Sequence, residues 1–246
     1  PFDSVFAKVL NYFAQERCGT AVDGVHEICH LNVFSRHPDG RRLSIAGGWH
    51  DAGDLSQSST NSAEITLAAL EAAAAIRARD PELSDRLLAE ARWGLQWLLR
   101  TAFGDGYRPC WSQLSVWTRN IEGAPDDVFR DAGRRAFTNL MAAAAEAQGA
   151  SAFRTSDPYF ADWCRRSAIR DFNFGLDPRE NEIRCWSEYF GAVLLAAAAL
   201  ADATNDGDYL RRVEPVAARL LACQQIAPVG EAFRLGGYFN KDEKSG

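Results

Sequence analysis

The 246-residue chain has no apolar run of bilayer-spanning length. The alanine runs at 142–145 and 196–199 fall far short of the roughly 20 residues a membrane helix needs and read as packing surface. Nor is there a basic surplus: 27 Lys and Arg face 33 Asp and Glu, a net charge of −6. The arginine pairs at 41–42, 134–135, 165–166 and 211–212 are scattered, and no cationic cluster is interleaved with aromatics. Nucleic acid is therefore a poor partner, because phosphate recognition needs concentrated positive charge. The six cysteines contain no Cys-x-x-Cys pair, and nothing in their spacing requires a disulfide. Strand signals are few; only residues 114–118 alternate, briefly.

What is present is helical periodicity. Val5, Phe6, Val9, Leu10 and Phe13 share one face of a helix expected over residues 4–16. A second is expected over 61–79, opened by a capping-box-like Asn61 and Glu64 and closed by Asp80-Pro81. Pro81 suits the first position of the next helix, whose apolar face is Leu83, Leu87, Leu88, Ala91, Leu95 and Leu98. Further helices are expected near 130–148, 157–170, 187–203 and 207–225, with Asp206-Gly207 as a turn. Alanine-rich helices pack closely, and about seven of them in a helix-turn-helix rhythm suit an all-α double ring. Composition is ordinary for a globular chain, 47% hydrophobic and 24% charged, and residues 1–246 are read as part of a single domain.

The segment Gly47-Gly48-Trp49-His50-Asp51-Ala52-Gly53-Asp54 places two carboxylates three residues apart in a glycine-flanked turn. Glycosidic bond cleavage uses paired carboxylates, one acting on a water and another protonating the leaving oxygen. An Asp-x-x-Asp by itself is as readily a solvated turn or a helix cap.

The string GGWHDAGD, preceded by Arg17-Cys18-Gly19, His26 and Cys29-His30, resembles glycoside hydrolase family 9. The likeness continues through residues 103–148 and into 188–210, where Ala203-Thr204-Asn205-Asp206-Gly207-Asp208-Tyr209-Leu210 echoes a family pattern. It implies an (α/α)6 barrel of twelve helices, here an incomplete set, with this chain matching about the first half of the catalytic domain. It also implies inverting hydrolysis of a β-linked, β-1,4-type glucan or a related oligosaccharide. Asp54 would be the general base and Asp51 would orient the water. No glutamate near the C-terminus stands in a setting like the family's general-acid motif. Leu55-Ser56-Gln57-Ser58 departs from the aromatic and basic residues that usually follow the motif, which puts cellulose itself in doubt.

Cys18, Cys29, His30 and His50 are two thiols and two imidazoles, a donor set that suits a closed, structural zinc site. Their spacing alone is equally that of buried thiols and a turn histidine. The family resemblance implies zinc, because some bacterial members bind it through two Cys and two His in this region. It also admits calcium, at sites lying partly outside the matched half. His26 and His37 read as surface or loop residues. Tyr107, Trp111 and Trp117, in the loop 104–129, are candidate platforms for sugar rings, whereas Trp93 and Trp97 read as packing residues and Trp49 as packed beneath the turn. A polymeric substrate implies an extracellular or periplasmic setting; an oligosaccharide would also be met in the cytoplasm. The alternatives are another (α/α) barrel enzyme, such as a lyase or epimerase, and a zinc-stabilised carbohydrate-binding protein that has lost catalysis.

Overall fold

The computed structural model describes residues 2–51, 55–111, 117–177 and 186–224. Seven helices run through the described residues: α1 (Phe2–Gln15), α2 (Ser59–Ile76), α3 (Pro81–Arg100), α4 (Ala136–Phe153), α5 (Pro158–Leu176), α6 (Ser187–Thr204) and α7 (Asp208–Cys223). The starts of α3 and α5 share one chemistry. Asp80 and Asp157 accept the backbone N–H groups of Leu83 at 3.0 Å and Phe160 at 3.1 Å, and each is followed by a proline that gives up no helical hydrogen bond. The start of α2 corrects the expectation: Ser58, not Asn61, is the cap, accepting the Asn61 N–H at 3.4 Å. Asn61 thereby falls in the first turn, with its side chain free for another partner.

The helices form three hairpins, α2–α3, α4–α5 and α6–α7, and α2, α4 and α6 pack side by side. Composition decides which helix is inside. Every residue of α4 from Thr138 to Ala147 is buried, so this helix is surrounded. In α3 the buried positions Leu83, Leu87, Ala91, Leu95 and Leu98 make one stripe, as in an outer helix. The result is an inner layer α2–α4–α6 and an outer layer α3–α5–α7, an incomplete (α/α)6 double ring as expected.

Small sheets lie in the loops at the ends of the helices. Strand β1 (Val33–Arg36) lies between β2 (Arg42–Ser44), antiparallel, and β4 (Val128–Asp131), parallel. A separate antiparallel pair joins β3 (Tyr107–Arg108) to β5 (Gly133–Arg134). Because β4 and β5 occupy the preceding stretch, α4 begins at Ala136 rather than near 130. The brief alternation at 114–118 lies mostly outside the described residues, and Trp117 and Thr118 belong to no strand.

A buried ionic group ties β3 to three helices. Arg108, fully buried, donates to the Leu98 carbonyl of α3 at 2.7 Å and to Glu146 of α4 at 2.8 Å, and also pairs with Asp171 of α5. Arg170 reaches the other oxygen of Asp171 at 3.3 Å. Burial, together with the Asp171 charge, pushes the Glu146 carboxyl up to about 8 despite Arg108. The folded protein thus holds a proton that the unfolded chain, at the ordinary value of 4.5, releases. The resulting stability is complete below about pH 4.5 and is lost as pH rises through about 8, at up to about 1.4 kcal/mol per pH unit. Unfolding curves taken across that window should show this slope, and Glu146→Gln should flatten it; an unchanged slope in the variant would assign the proton elsewhere.

Candidate functional site

Residues 45–51 are laid along one face of α3. Trp97 Nε1 donates to the Ile45 carbonyl at 2.8 Å, Trp93 Nε1 to the Gly48 carbonyl at 2.8 Å, and Arg100 to the Ala46 carbonyl at 3.1 Å. Glu90, one turn before Trp93, accepts the Trp49 indole N–H at 2.7 Å and is clasped by Arg17 at 2.7 Å. Positions 90, 93, 97 and 100 recur at helical spacing, so a single helix face fixes the loop. Trp49 is buried as expected. Its ring enters between α2 and α3 because Gly94 has no side chain; a Cβ there would run into the Trp49 ring and the Thr66 hydroxyl. Gly48, at φ +64°, passes so near Trp97 that a Cβ would stand 3.0 Å from the indole. The far edge of the loop pairs with the end of α1: Cys18 N–H donates to Gly48 at 3.0 Å and His50 N–H to Glu16 at 2.8 Å.

That pairing gathers Cys18, Cys29, His30 and His50. All four are buried, and their ligand atoms lie within 4.8 Å of one another. The separations are 3.9 Å between the sulfurs, 3.5 Å from Cys18 to His30 Nδ1, 3.7 Å from Cys29 to His50 Nε2 and 3.2 Å between the two nitrogens. A tetrahedron built on zinc's bond lengths has edges of about 3.8 Å (S–S), about 3.5 Å (S–N) and about 3.3 Å (N–N). The donor set therefore fits one four-coordinate ion in size and softness. The Glu16 carboxylate stands 3.9 Å from His50 Nδ1, on the side away from the group, where it can orient the ring. The hydrogen bond between the two thiols, and then burial, raise the Cys18 thiol, and the same hydrogen bond lowers Cys29. All five described cysteines are free thiols. His26 stands beside this group, its ring 5.7 Å from His50, without joining it.

Asp51 follows His50 directly and is half-buried. Asn61 donates to its Oδ2 at 2.9 Å, Ser56 donates to its Oδ1, and its own N–H reaches the Ser56 carbonyl at 2.9 Å. Each oxygen of an ionised carboxylate keeps accepting capacity after one such bond, so Asp51 is oriented without being used up. Asp54 lies outside the described residues.

The three candidate platforms are dispersed. Trp117, 54% exposed, stacks on His30 at 5.3 Å and 16°, and so covers the Cys/His group. Trp111, 50% exposed, lines a cavity of about 380 Å³ with Ser58, Thr60, Arg135 and Thr138. Tyr107 is half-buried, edge-on to His37 at 4.4 Å. His37, read as a surface or loop residue, lies in the β1–β2 turn but is buried, held between Asp39 at 2.7 Å and Asp105 at 3.1 Å, and so locks that turn to the 103–107 loop. Glu90 carried no sequence signal of a role here, and Arg17, Ser56 and Asn61 were marked only as neighbours of the motif or as a helix cap.

The family model described as glycosyl hydrolase family 9 matches residues 2–232. No curated protein matches the chain. Among solved structures, a thermostable endoglucanase from Alicyclobacillus acidocaldarius superposes with a TM-score of 0.67 at 22% identity, over 87% of this chain and 46% of that one. An endoglucanase from the termite Nasutitermes takasagoensis gives 0.68 at 18%, over 91% and 56%. A Zn-binding triple mutant of the family 9 endoglucanase J30 gives 0.67 at 22%, over 93% and 50%. At these identities the likeness is one of fold, and the chain spans about half the length of these structures.

Replacing Glu90 with Ala strips the buried Trp49 N–H and the Arg17 guanidinium of their acceptor. The expected loss is about 2–3 kcal/mol in denaturant unfolding, with altered tryptophan emission. A loss below about 0.5 kcal/mol with unchanged emission would mean that the loop is held without it.

Proposed function

The chain belongs to glycosyl hydrolase family 9, and from that membership we propose that it supplies the water-activating side of an inverting glycoside hydrolase acting on a β-linked glucan, of the β-1,4 type, or a related oligosaccharide. The observation that carries this reading is Asp51: a half-buried carboxylate with each oxygen fixed by one donor, Ser56 or Asn61, and accepting capacity to spare. Asp51 then accepts one hydrogen of the attacking water. Asp54 removes the other as the oxygen reaches the anomeric carbon from the face opposite the leaving group. A carboxylic acid across the sugar, about 6.5–9.5 Å from the base, protonates the departing oxygen; no residue of this chain is assigned that role. Trp111, Trp117 and Tyr107 are the proposed ring contacts, of which the two half-exposed tryptophans offer the more open faces.

Cys18, Cys29, His30 and His50 would hold a structural zinc ion. The fitting separations support this, as does the Zn-binding description of one structural relative. Four protein ligands leave such an ion no open position, so it supplies rigidity and no reactive group. The chain's own residues act through it: His50 adjoins Asp51, so anchoring the imidazole fixes the backbone that aims the carboxylate. Degradation of a polymeric glucan assigns the protein to an extracellular or periplasmic setting.

In the full-length enzyme, Asp54→Asn should lower kcat by about 10²–10⁴-fold with an unchanged melting temperature, and Asp51→Asn should cause a smaller loss. Activity within about twofold of wild type in the Asp54 variant would refute the assignment of the base. Elemental analysis should find about one zinc per chain, and the Cys18→Ala/Cys29→Ala double variant should lose both the metal and about 10 °C of Tm. A metal-free wild type melting at the same temperature as a zinc-reconstituted sample would return the four residues to ordinary packing.

A further inference from the structure

The cavity beside Trp111 differs in its chemistry from what a neutral sugar requires. It lies between the first turns of α2 and α4, at about 380 Å³, and is bounded by Ser58, Thr60, Cys110, Trp111, Arg135, Phe137 and Thr138. Trp111 offers an aromatic face half open to solvent. Thr60 and Thr138 bring their hydroxyls to 3.5 Å from each other. A glucose ring presents several O–H donors, which binding sites normally meet with carboxylate or amide oxygens. Among the described residues, no such side chain lines this cavity. The described lining is rich in donors: the Trp111 indole N–H, the five N–H groups of Arg135 and three hydroxyls, which accept as well as donate.

Arg135 is exposed and, like Arg86, Arg100, Arg154 and Arg212, is held by no acid among the described residues, whereas other arginines are. Arg17, Arg36, Arg41, Arg42, Arg77, Arg92 and Arg108 each hold a carboxylate. Two residues of the lining also adjoin, along the chain, the residue that holds Asp51. Thr60 precedes Asn61, the residue that holds Asp51, and Ser58 caps the same turn.

We propose that this cavity is a subsite for a pyranose ring bearing a carboxylate, with Trp111 under the ring and the planar fork of Arg135 on the acid group. Arg135 is thus the residue that sets specificity. A bidentate guanidinium–carboxylate pair matches donor to acceptor, whereas a neutral ring would leave the donors of the cavity partly unmet. This inference rests on the glycosidase reading of the site but is tested apart from it.

The test is calorimetric binding to the full-length Asp54→Asn protein, in which cleavage does not intervene. The probes are a β-1,4-linked gluco-oligosaccharide, the same length oxidised at one C6 to a glucuronate, and the same length carrying one C6 sulfate. The glucuronate form should bind about tenfold more tightly than the neutral one, and Arg135→Met on the same background should erase that ratio. Arg135→Lys, which keeps the charge but not the fork, should retain only part of it. Equal affinities, tighter binding of the neutral or sulfated form, or a ratio that survives Arg135→Met would overturn the proposal. Turnover of the neutral oligosaccharide by the wild-type enzyme reports separately on the glycosidase reading.

Discussion

The loop 45–51 is held by one face of α3, and the arrangement of the site follows from that contact. Two indoles and a guanidinium each donate to a separate carbonyl of the loop, and Glu90 receives the indole of Trp49 in return. A loop rich in glycine loses much entropy on ordering. Here that cost is met by satisfying its backbone one carbonyl at a time, against a rigid helix whose other side is core. The N-terminal segment pairs along the free edge of the loop, and Cys18, Cys29, His30 and His50 meet beside that pairing. The Cys/His group therefore depends on the α3 contact, although in sequence α3 lies well beyond it.

This explains which parts of the molecule were legible in the sequence. The helices were, since apolar spacing and Asp-Pro starts are local signals. The four Cys and His residues were readable as a donor set, and the motif around Asp51 was readable as a glycine-flanked turn. Glu90 was not, because a glutamate in an amphipathic helix ordinarily faces water, and nothing local marks one that will receive a buried indole. Trp93 and Trp97 were read as packing residues; their rings do pack, but their N–H groups aim the loop. The small sheets escaped for another reason: β1 and β4 pair in parallel across some ninety residues of chain, with Val33 opposite Val128, and no turn signal can announce such a pairing. The burial of His37 within its turn was not legible, because it is created by Asp39, Asp105 and Tyr107 from two separate segments.

The inner layer poses a different constraint. α4 is enclosed by α2, α5 and α6, and its alanines permit that crowding. Into this apolar setting the fold brings Arg108, Glu146 and Asp171, all buried. Such a group is weak evidence for stability, since apolar residues of like shape often serve as well. Its effect here is positional: β3 is held to α3, α4 and α5, and Trp111 follows three residues later, at the cavity lined by Ser58 and Thr60.

The displacement of the α2 cap from Asn61 to Ser58 has a wider consequence. Asn61 is left within the first helical turn, where its side chain holds Asp51. Helix ends open more readily than helix centres. The carboxylate proposed to steer the water is therefore tied both to Ser56 and to one end of α2. Its aim depends on a single helical turn staying closed, a smaller unit than the double layer of helices that carries the fold.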